Sequence, residues 1–135
     1  MLDAFPDLQI VMPHGGGSFP WLVGRFDNAF GRRAELNHMK APASSYMRRF
    51  HYDTIVHDPR VMRFLIEMVG ADRVVVGTDY DMDAGYKEPI AFVDRIPGLT
   101  AEERKLICSE NAARIFDFSG QPAALSAKRP QRASA

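Results

Sequence analysis

The sequence predicts an α/β fold in which strands alternate with helices. Three short apolar runs, at 8–12, 51–56 and 73–77, have the length and β-branched content of buried strands. Segments with helical periodicity separate and follow these runs. Because this alternation is typical of parallel strands joined by right-handed crossovers, we expect one parallel sheet. Three strands form either a small open sheet or part of a larger barrel, and periodicity does not decide between them.

The first strand, LQIVM, ends at Pro13 and is followed by the stretch HGGG at 14–17. The next segment, PWLVGRFDNAFGRR, has apolar residues at helical spacing and predicts a helix over 20–33. Pro20 suits the first turn of that helix, where a missing N–H group has no cost. The chain therefore passes from strand through a glycine-rich turn to a helix.

The middle of the chain contains the second strand and the best-defined helix. Residues 31–49 are basic and irregular, which predicts a loop with a short helix near 46–50. The run HYDTIV then predicts a strand. Asp58 is a helix N-cap candidate with Pro59 after it, and Gly70 is a typical C-terminal stop, so we expect a helix between them.

The third strand, RVVVG, lacks alternation, which indicates burial on both faces. A short helix is expected over 88–96. Thr100 and Glu103 predict a capping box for the helix TAEERKLIC, and Ser109 is expected to cap a further helix, ENAARIF. We place one domain at 1–118 and a disordered polar and basic tail at 119–135, because the tail has too little apolar content to order itself.

The composition narrows the classes of function. Seventeen basic and seventeen acidic residues cancel, so neither a nucleic acid nor an anionic membrane surface is an expected partner. No apolar run is long enough to span a membrane, and the first residues do not have the pattern of a signal peptide. The single Cys108 has no partner for an internal disulfide. These features predict a cytoplasmic protein.

Two ionisable residues lie where apolar runs end, and they are the candidate catalytic or metal-binding residues. His14 follows the first strand and Asp79 follows the third, while Asp53 lies within the second. Ligands of parallel α/β folds gather at the carboxyl ends of strands, and imidazole and carboxylate groups are common ligands of zinc and other divalent ions. Three glycines after His14 would let the backbone turn away and leave the imidazole in a cavity.

Simpler interpretations of the same residues remain open. In these interpretations the His14 ring bonds a backbone carbonyl at a strand end, and Asp79 caps the segment after it. An esterase oxyanion hole would need a GxSxG nucleophile motif, which this sequence lacks. A phosphate-binding loop would need glycine spacings that are also absent. Arg25, on the first helix, is a candidate for binding a carboxylate in bidentate fashion, or is a solvated surface arginine.

Three segments together resemble a known family. They are FPDLQIVMPHGGGSFPWLVGR, YDTIVHDPRVMRFLIEMVGADRVVVGTDY and the ending NAARIF, which cover most of residues 3–117. In this order they are similar to the C-terminal part of the metal-dependent amidohydrolase superfamily. The resemblance is strongest to the amidohydrolase-related decarboxylases, the branch that includes aminocarboxymuconate-semialdehyde decarboxylase.

The resemblance implies a (β/α)8 TIM barrel of the metal-dependent hydrolase type, with the three strands as its sixth, seventh and eighth. It implies that His14 is the acid–base or water-activating residue and that Asp79 binds a divalent metal, with zinc as the expected ion. Arg25 matches an arginine that holds a substrate carboxylate in a neighbouring subunit's site. The family's N-terminal HxH metal ligands have no counterpart in this sequence, so the implied metal site is incomplete.

The leading hypothesis is therefore the C-terminal part of a decarboxylase that acts on a small unsaturated or aromatic carboxylic acid. Its expected partners are a second copy in a homodimer or a complementary N-terminal chain. One alternative is a metal-dependent hydrolase of the same superfamily. Another is a noncatalytic half-barrel that serves as an interaction module, because unpaired strand edges favour association. An open-sheet binding protein is a third alternative.

Overall fold

The computed structural model describes residues 1–80 and 82–116. The predicted tail at 119–135 and the predicted domain end at 118 both lie outside these residues. Within them, no helix combines the length and the hydropathy needed to cross a membrane.

One three-stranded sheet forms the centre of the fold. The strands are β1 (Val11–Met12), β2 (His51–Asp53) and β3 (Val74–Val75), in that order across the sheet. Both pairings are parallel, with Met12 opposite Tyr52 and Tyr52 opposite Val74. The predicted parallel sheet is thus confirmed. Each strand is shorter than the apolar run that predicts it, because pairing with a neighbour covers only two or three residues.

The first two long helices connect these strands. They are α1 (Phe19–Ala29) and α2 (Pro59–Val69). The first ends four residues before its predicted end, because Phe30 is extended and Gly31 has a φ of 73°. The second matches its prediction at both ends, since the Asp58 carboxylate accepts a hydrogen bond from the Arg60 N–H at 2.8 Å and Gly70 follows the last turn. Short 3-10 turns lie at His14–Gly16, Ala34–Leu36, Ala43–Arg49 and Ala71–Arg73.

The C-terminal helices follow β3. They are α3 (Pro89–Val93), α4 (Ala101–Lys105) and α5 (Asn111–Phe116), with a π-helical turn at Leu106–Glu110 between the last two. The capping box of Thr100 and Glu103 forms as predicted. Ser109 was expected to cap a new helix, and that prediction is wrong. It lies inside the π turn, where its hydroxyl donates to the Lys105 carbonyl at 3.0 Å, so the backbone continues helically from α4 into α5.

The core lies between the sheet and the helices and contains side chains from most of these elements. Side chains with no exposed surface include Tyr52, Met62, Val69, Val74, Phe92 and Ile107. The Tyr52 hydroxyl donates to the Met47 carbonyl at 2.9 Å, and burial raises the pKa of this phenol to about 12. Asn111, at the start of α5, is another deeply buried polar side chain, and its amide donates to the carbonyls of Ala71 and Val74, each at 2.7 Å. The start of α5 is therefore tied to β3.

Candidate active site

Each strand is followed by a residue in left-handed backbone conformation. His14 follows β1 with a φ of 55°, His57 follows β2 with 58°, and Asp79 follows β3 with 53°. Among the described residues no other non-glycine residue has a positive φ. Such conformations cost free energy in L-amino acids and cluster at functional sites. The carboxyl end of the sheet is therefore the candidate active site.

The turn after β1 exposes His14 and buries the two glycines that follow it. A Cβ atom on Gly15 would lie 2.5 Å from Val56 Cγ1, and one on Gly16 would lie 2.8 Å from the Tyr52 ring. Both glycines also have positive φ. The glycines are required here for close packing as well as for backbone conformation, and they bring the turn down onto β2.

Asp53 fixes this turn from the neighbouring strand. It is the last residue of β2, and its Oδ1 accepts hydrogen bonds from the N–H of Gly15 at 2.9 Å and of Ile55 at 3.0 Å. A Cβ atom on Gly77 would lie only 2.9 Å from the Asp53 Cβ, so the segment after β3 also packs against it. The sequence placed Asp53 within the second strand without a role, since its partner Gly15 is 38 residues away.

Replacing Asp53 by Ala should free the turn that carries His14. The variant D53A removes the acceptor of the Gly15 N–H, whereas D53N keeps an oxygen of the same reach. We expect hydrogen exchange of the Gly15 amide to accelerate roughly tenfold or more in D53A, since bonds to charged groups contribute about 1.5–3 kcal/mol. NMR-detected exchange measures this, with the α2 amide of Leu65 as internal control. If D53N exchanges as fast as D53A, the negative charge rather than the acceptor geometry holds the turn.

Asp79 lies in a loop that closes back on itself. The Asp79 side chain is half-buried, its carbonyl accepts from the Met82 N–H at 3.0 Å, and the Tyr86 N–H donates to the Thr78 carbonyl at 2.7 Å. A Cβ atom on Gly85 would lie 2.2 Å from the Asp79 carbonyl oxygen. The backbone thus holds Asp79 at the end of β3 without help from its carboxylate.

Tyr86 joins this loop to the turn after β2. Its hydroxyl accepts from the His57 N–H at 2.7 Å, and its ring lies 4.5 Å from the His57 imidazole and 4.8 Å from the buried Phe92 ring. Burial raises the pKa of the Tyr86 phenol, so it stays neutral. His57 is exposed and contacts Tyr86, which is 29 residues away, and no local sequence pattern indicates this contact.

The structure places His14 and Arg25 in different cavities. His14 lines a cavity of 230 Å³ between the first turns of α1 and α2, whose walls include the stacked rings of Trp21 and Phe64, with centroids 4.9 Å apart. Arg25 lines a cavity of 510 Å³ at the other end of α1, together with Arg32 and other residues of 26–36. Asp79 is not among the residues that line either cavity. The two predicted substrate-contacting residues are therefore not brought together within one chain.

The described residues hold donors of the right chemistry for a divalent metal but not a complete set. Carboxylate oxygen and imidazole nitrogen suit zinc or manganese, and Asp79 and His14 follow β3 and β1. Within residues 1–80 and 82–116, however, there is no group of three or more His, Cys, Asp or Glu side chains placed to hold one ion. Asp79 thus suits the role of one ligand of a larger set.

A parallel sheet with ionisable residues at its carboxyl end defines the class of α/β proteins that bind ligands at strand ends. Comparison with known proteins makes the assignment specific. The chain belongs to the amidohydrolase family, because the family model described as amidohydrolase matches residues 1–118. The resemblance seen in the sequence is thereby confirmed.

Two kinds of curated relatives match most of this chain. The 2-amino-3-carboxymuconate-6-semialdehyde decarboxylase of Dictyostelium discoideum is 31% identical over 118 residues, which are 86% of this chain and 33% of the relative. The 2-keto-4-carboxy-3-hexenedioate hydratase of a Sphingobium strain is 29% identical over 126 residues, 83% of this chain and 34% of the relative. The chain spans about a third of the length of the curated relatives it matches.

Solved structures show the same relation. The 5-carboxyvanillate decarboxylase of Sphingomonas paucimobilis is 30% identical, with a TM-score of 0.75 over 86% of this chain and 36% of that chain. The dihydroxybenzoic acid decarboxylase of Polaromonas sp. JS666, solved with bound manganese and 2-nitroresorcinol, is 22% identical and has a TM-score of 0.75 over 89% and 37% of the two chains. These structures are TIM barrels, and the parallel sheet with its helices corresponds to part of such a barrel.

Proposed function

We propose that this chain is the part of a metal-dependent decarboxylase that carries its acid–base histidine and one metal-binding aspartate. The observation that carries the proposal is the placement of His14 and Asp79, both in left-handed backbone, after strands of one parallel sheet in an amidohydrolase chain. The names of the matched decarboxylases support the reaction. In the complete barrel the three strands would be the sixth, seventh and eighth.

Asp79 would supply one oxygen ligand to a divalent ion, and the other ligands would come from outside the described residues. When bound, such an ion polarises a substrate oxygen and stabilises the negative charge that develops there. Zinc is the ion expected from the sequence, while two solved relatives were determined with manganese. Both ions therefore belong in the test.

His14 would move the proton that decarboxylation requires. Protonation of the carbon that bears the carboxylate creates an electron sink, the bond to the carboxylate then breaks, and its electrons restore the unsaturated system as carbon dioxide leaves. The exposed imidazole at the rim of an apolar cavity suits this role, because Trp21 and Phe64 offer flat surfaces to a planar acid. The proposed substrates are accordingly small unsaturated or aromatic carboxylic acids.

Arg25 would bind a substrate carboxylate in the site of a second copy. Its cavity is separate from that of His14, and within the described residues its guanidinium has no acidic partner. A homodimer would bring the free charge to the neighbouring copy, where bidentate pairing with a carboxylate is favourable. A cytoplasmic location is also proposed, since the free thiol of Cys108 suits a reducing compartment.

The hydratase relative supports a second candidate, addition of water to an unsaturated acid or hydrolysis at the same site. In that case His14 would activate water rather than protonate carbon. A noncatalytic half-barrel that only associates with another chain is the remaining alternative, and it predicts neither metal binding nor turnover.

Metal titration and product analysis test the proposal. The 135-residue protein, alone and mixed with a complementary chain that carries HxH, is titrated with manganese and with zinc by calorimetry. We expect D79N to weaken binding at least tenfold, since a charged ligand is lost, and D83N, in the same loop, to leave it unchanged. We expect H14Q to retain metal binding and lose carbon dioxide release from a panel of unsaturated and aromatic acids. Absence of both metal binding and turnover in every combination would mean a noncatalytic module.

A further inference from the structure

A second polar cavity lies at the opposite end of the sheet from His14 and Asp79. It has a volume of 290 Å³ and is lined by Gln9, His51, Asp72, Arg73, Arg114 and Ile115. His51 is the first residue of β2, and Arg73 directly precedes β3, so this cavity lies at the amino ends of the strands. The proposed function uses none of these residues.

Buried polar atoms without a hydrogen-bond partner occur at this cavity. Within the described residues, two buried side-chain polar atoms have no hydrogen-bond partner, His51 Nδ1 and Arg73 Nε, and both residues line it. His51 is 6% exposed. Arg73 Nε is 3.3 Å from an Asp72 carboxylate oxygen but does not have hydrogen-bond geometry. Because unpaired buried polar groups are costly and rare, their coincidence at one cavity indicates a ligand that supplies the missing partners.

The charges at the cavity favour an anion. Among the described residues, Asp72 is the one acid that lines it, and its carboxylate is shared between Arg73 and Arg48, the latter at 3.0 Å. Arg114 donates to the neutral amide oxygen of Asn111 and has no acidic partner within residues 1–80 and 82–116. The single negative charge of Asp72 does not compensate the positive charges of Arg48, Arg73 and Arg114, and guanidinium groups bind oxyanions through paired N–H donors.

We propose that the cavity lined by His51, Arg73 and Arg114 binds a small oxyanion, such as a phosphate or a carboxylate group. The anion would accept hydrogen bonds from both guanidinium groups and compensate the charge of Arg114. The imidazole would contribute a ring N–H, which a neutral histidine carries on one nitrogen. This site is separate from the strand ends that carry His14 and Asp79, and it does not rest on the proposed decarboxylase activity.

The state of His51 provides a spectroscopic signal for binding. Burial, followed by the positive charges of Arg73 and Arg114, lowers the pKa of the imidazole, with Asp72 opposing the effect. An oxyanion beside the two arginines would offset their repulsion and raise the pKa of His51. Binding would thus move the His51 titration toward higher pH, which an anion bound elsewhere on the surface would not do.

The test uses the complete 135-residue protein, with inorganic phosphate and acetate as separate probes. Nitrogen-detected NMR of the His51 ring follows each titration. We expect saturable shifts with at least one probe, a raised His51 pKa at saturation, and a loss of affinity of roughly tenfold in R114Q. The charge variant K40Q, at an exposed position that does not line this cavity, should bind as the wild type does. The probe that saturates tells a phosphate site from a carboxylate site.

A folding control keeps the result decisive, because Arg114 also contacts the buried Asn111. R114K retains the charge and R73Q leaves that contact intact, and amide spectra report whether each variant is folded. We expect intermediate affinity in R114K and weakened binding in R73Q. Unchanged His51 signals with both probes, or equal weakening by K40Q and R114Q, would overturn the proposal.

Discussion

Replacing Asn111 by Ala is expected to destabilise the fold by about 3 kcal/mol, because two carbonyls in the core would lose the hydrogen bonds from its amide. The Asn111 amide donates to Ala71 and Val74 at 2.7 Å, and the side chain is 1% exposed. These bonds join α5 to the turn before β3 and to β3 itself. The loss should therefore appear as a lower free energy of unfolding in urea, measured by circular dichroism.

Two further variants separate the hydrogen bonds from the packing. Asn111→Leu keeps a similar volume but cannot donate, so it should remain destabilised if the carbonyls are the cause. Asn28→Ala, at an exposed position on α1, should change stability by less than about 0.5 kcal/mol. Recovery of stability in N111L would show that the cavity, not the hydrogen bonds, is responsible.

Replacing Gly15 by Ala is expected to have the second large effect, about 2–5 kcal/mol. The new methyl group would lie 2.5 Å from Val56 Cγ1, and the residue must also keep a φ of 58°. Left-handed backbone costs an L-residue about 1–2 kcal/mol, and overpacking adds about 1–3 kcal/mol. Because Gly15 adjoins His14 and donates to Asp53, the strain falls on the turn that carries the proposed acid–base residue.

Gly98 offers a control with open space around it. It has a φ of 65°, and a Cβ atom there would meet nothing within 4 Å. Gly98→Ala should therefore show only the backbone cost, about 1–2 kcal/mol. Equal denaturation midpoints for G15A and G98A would mean that the turn shifts to make room and that close packing on Val56 is not required.

The sequence predicted those parts of the fold whose signals are local. Asp58, Pro59 and Gly70 define α2 through contacts within a single turn at each end, and both ends were found correctly. The prediction for Ser109 was wrong because a serine hydroxyl can either cap a helix or bond to the preceding turn. The buried packing of Ile107 favours the bond to the preceding turn, at the Lys105 carbonyl. The class of fold followed from the order of elements alone.

The candidate site residues were chosen for the same reason. His14 and Asp79 were proposed because each lies two residues after a recognisable apolar run. The support from Asp53 and Tyr86 depends on pairs 38 and 29 residues apart, which no spacing rule joins. The separation of Arg25 from His14 likewise results from the direction of α1, which carries the two residues to different cavities. The roles of His14, Arg25 and Asp79 remain predictions.

The left-handed residues after the three strands imply a trade-off between the thermal stability of the fold and the presence of reactive side chains. Glycine adopts a positive φ without the steric cost borne by His14, His57 and Asp79. Glycine at all three positions would remove this steric cost. The two imidazoles and the carboxylate therefore lower the conformational stability of this end of the molecule. Directed evolution for heat tolerance should therefore reach these positions early and lose whatever reaction they serve.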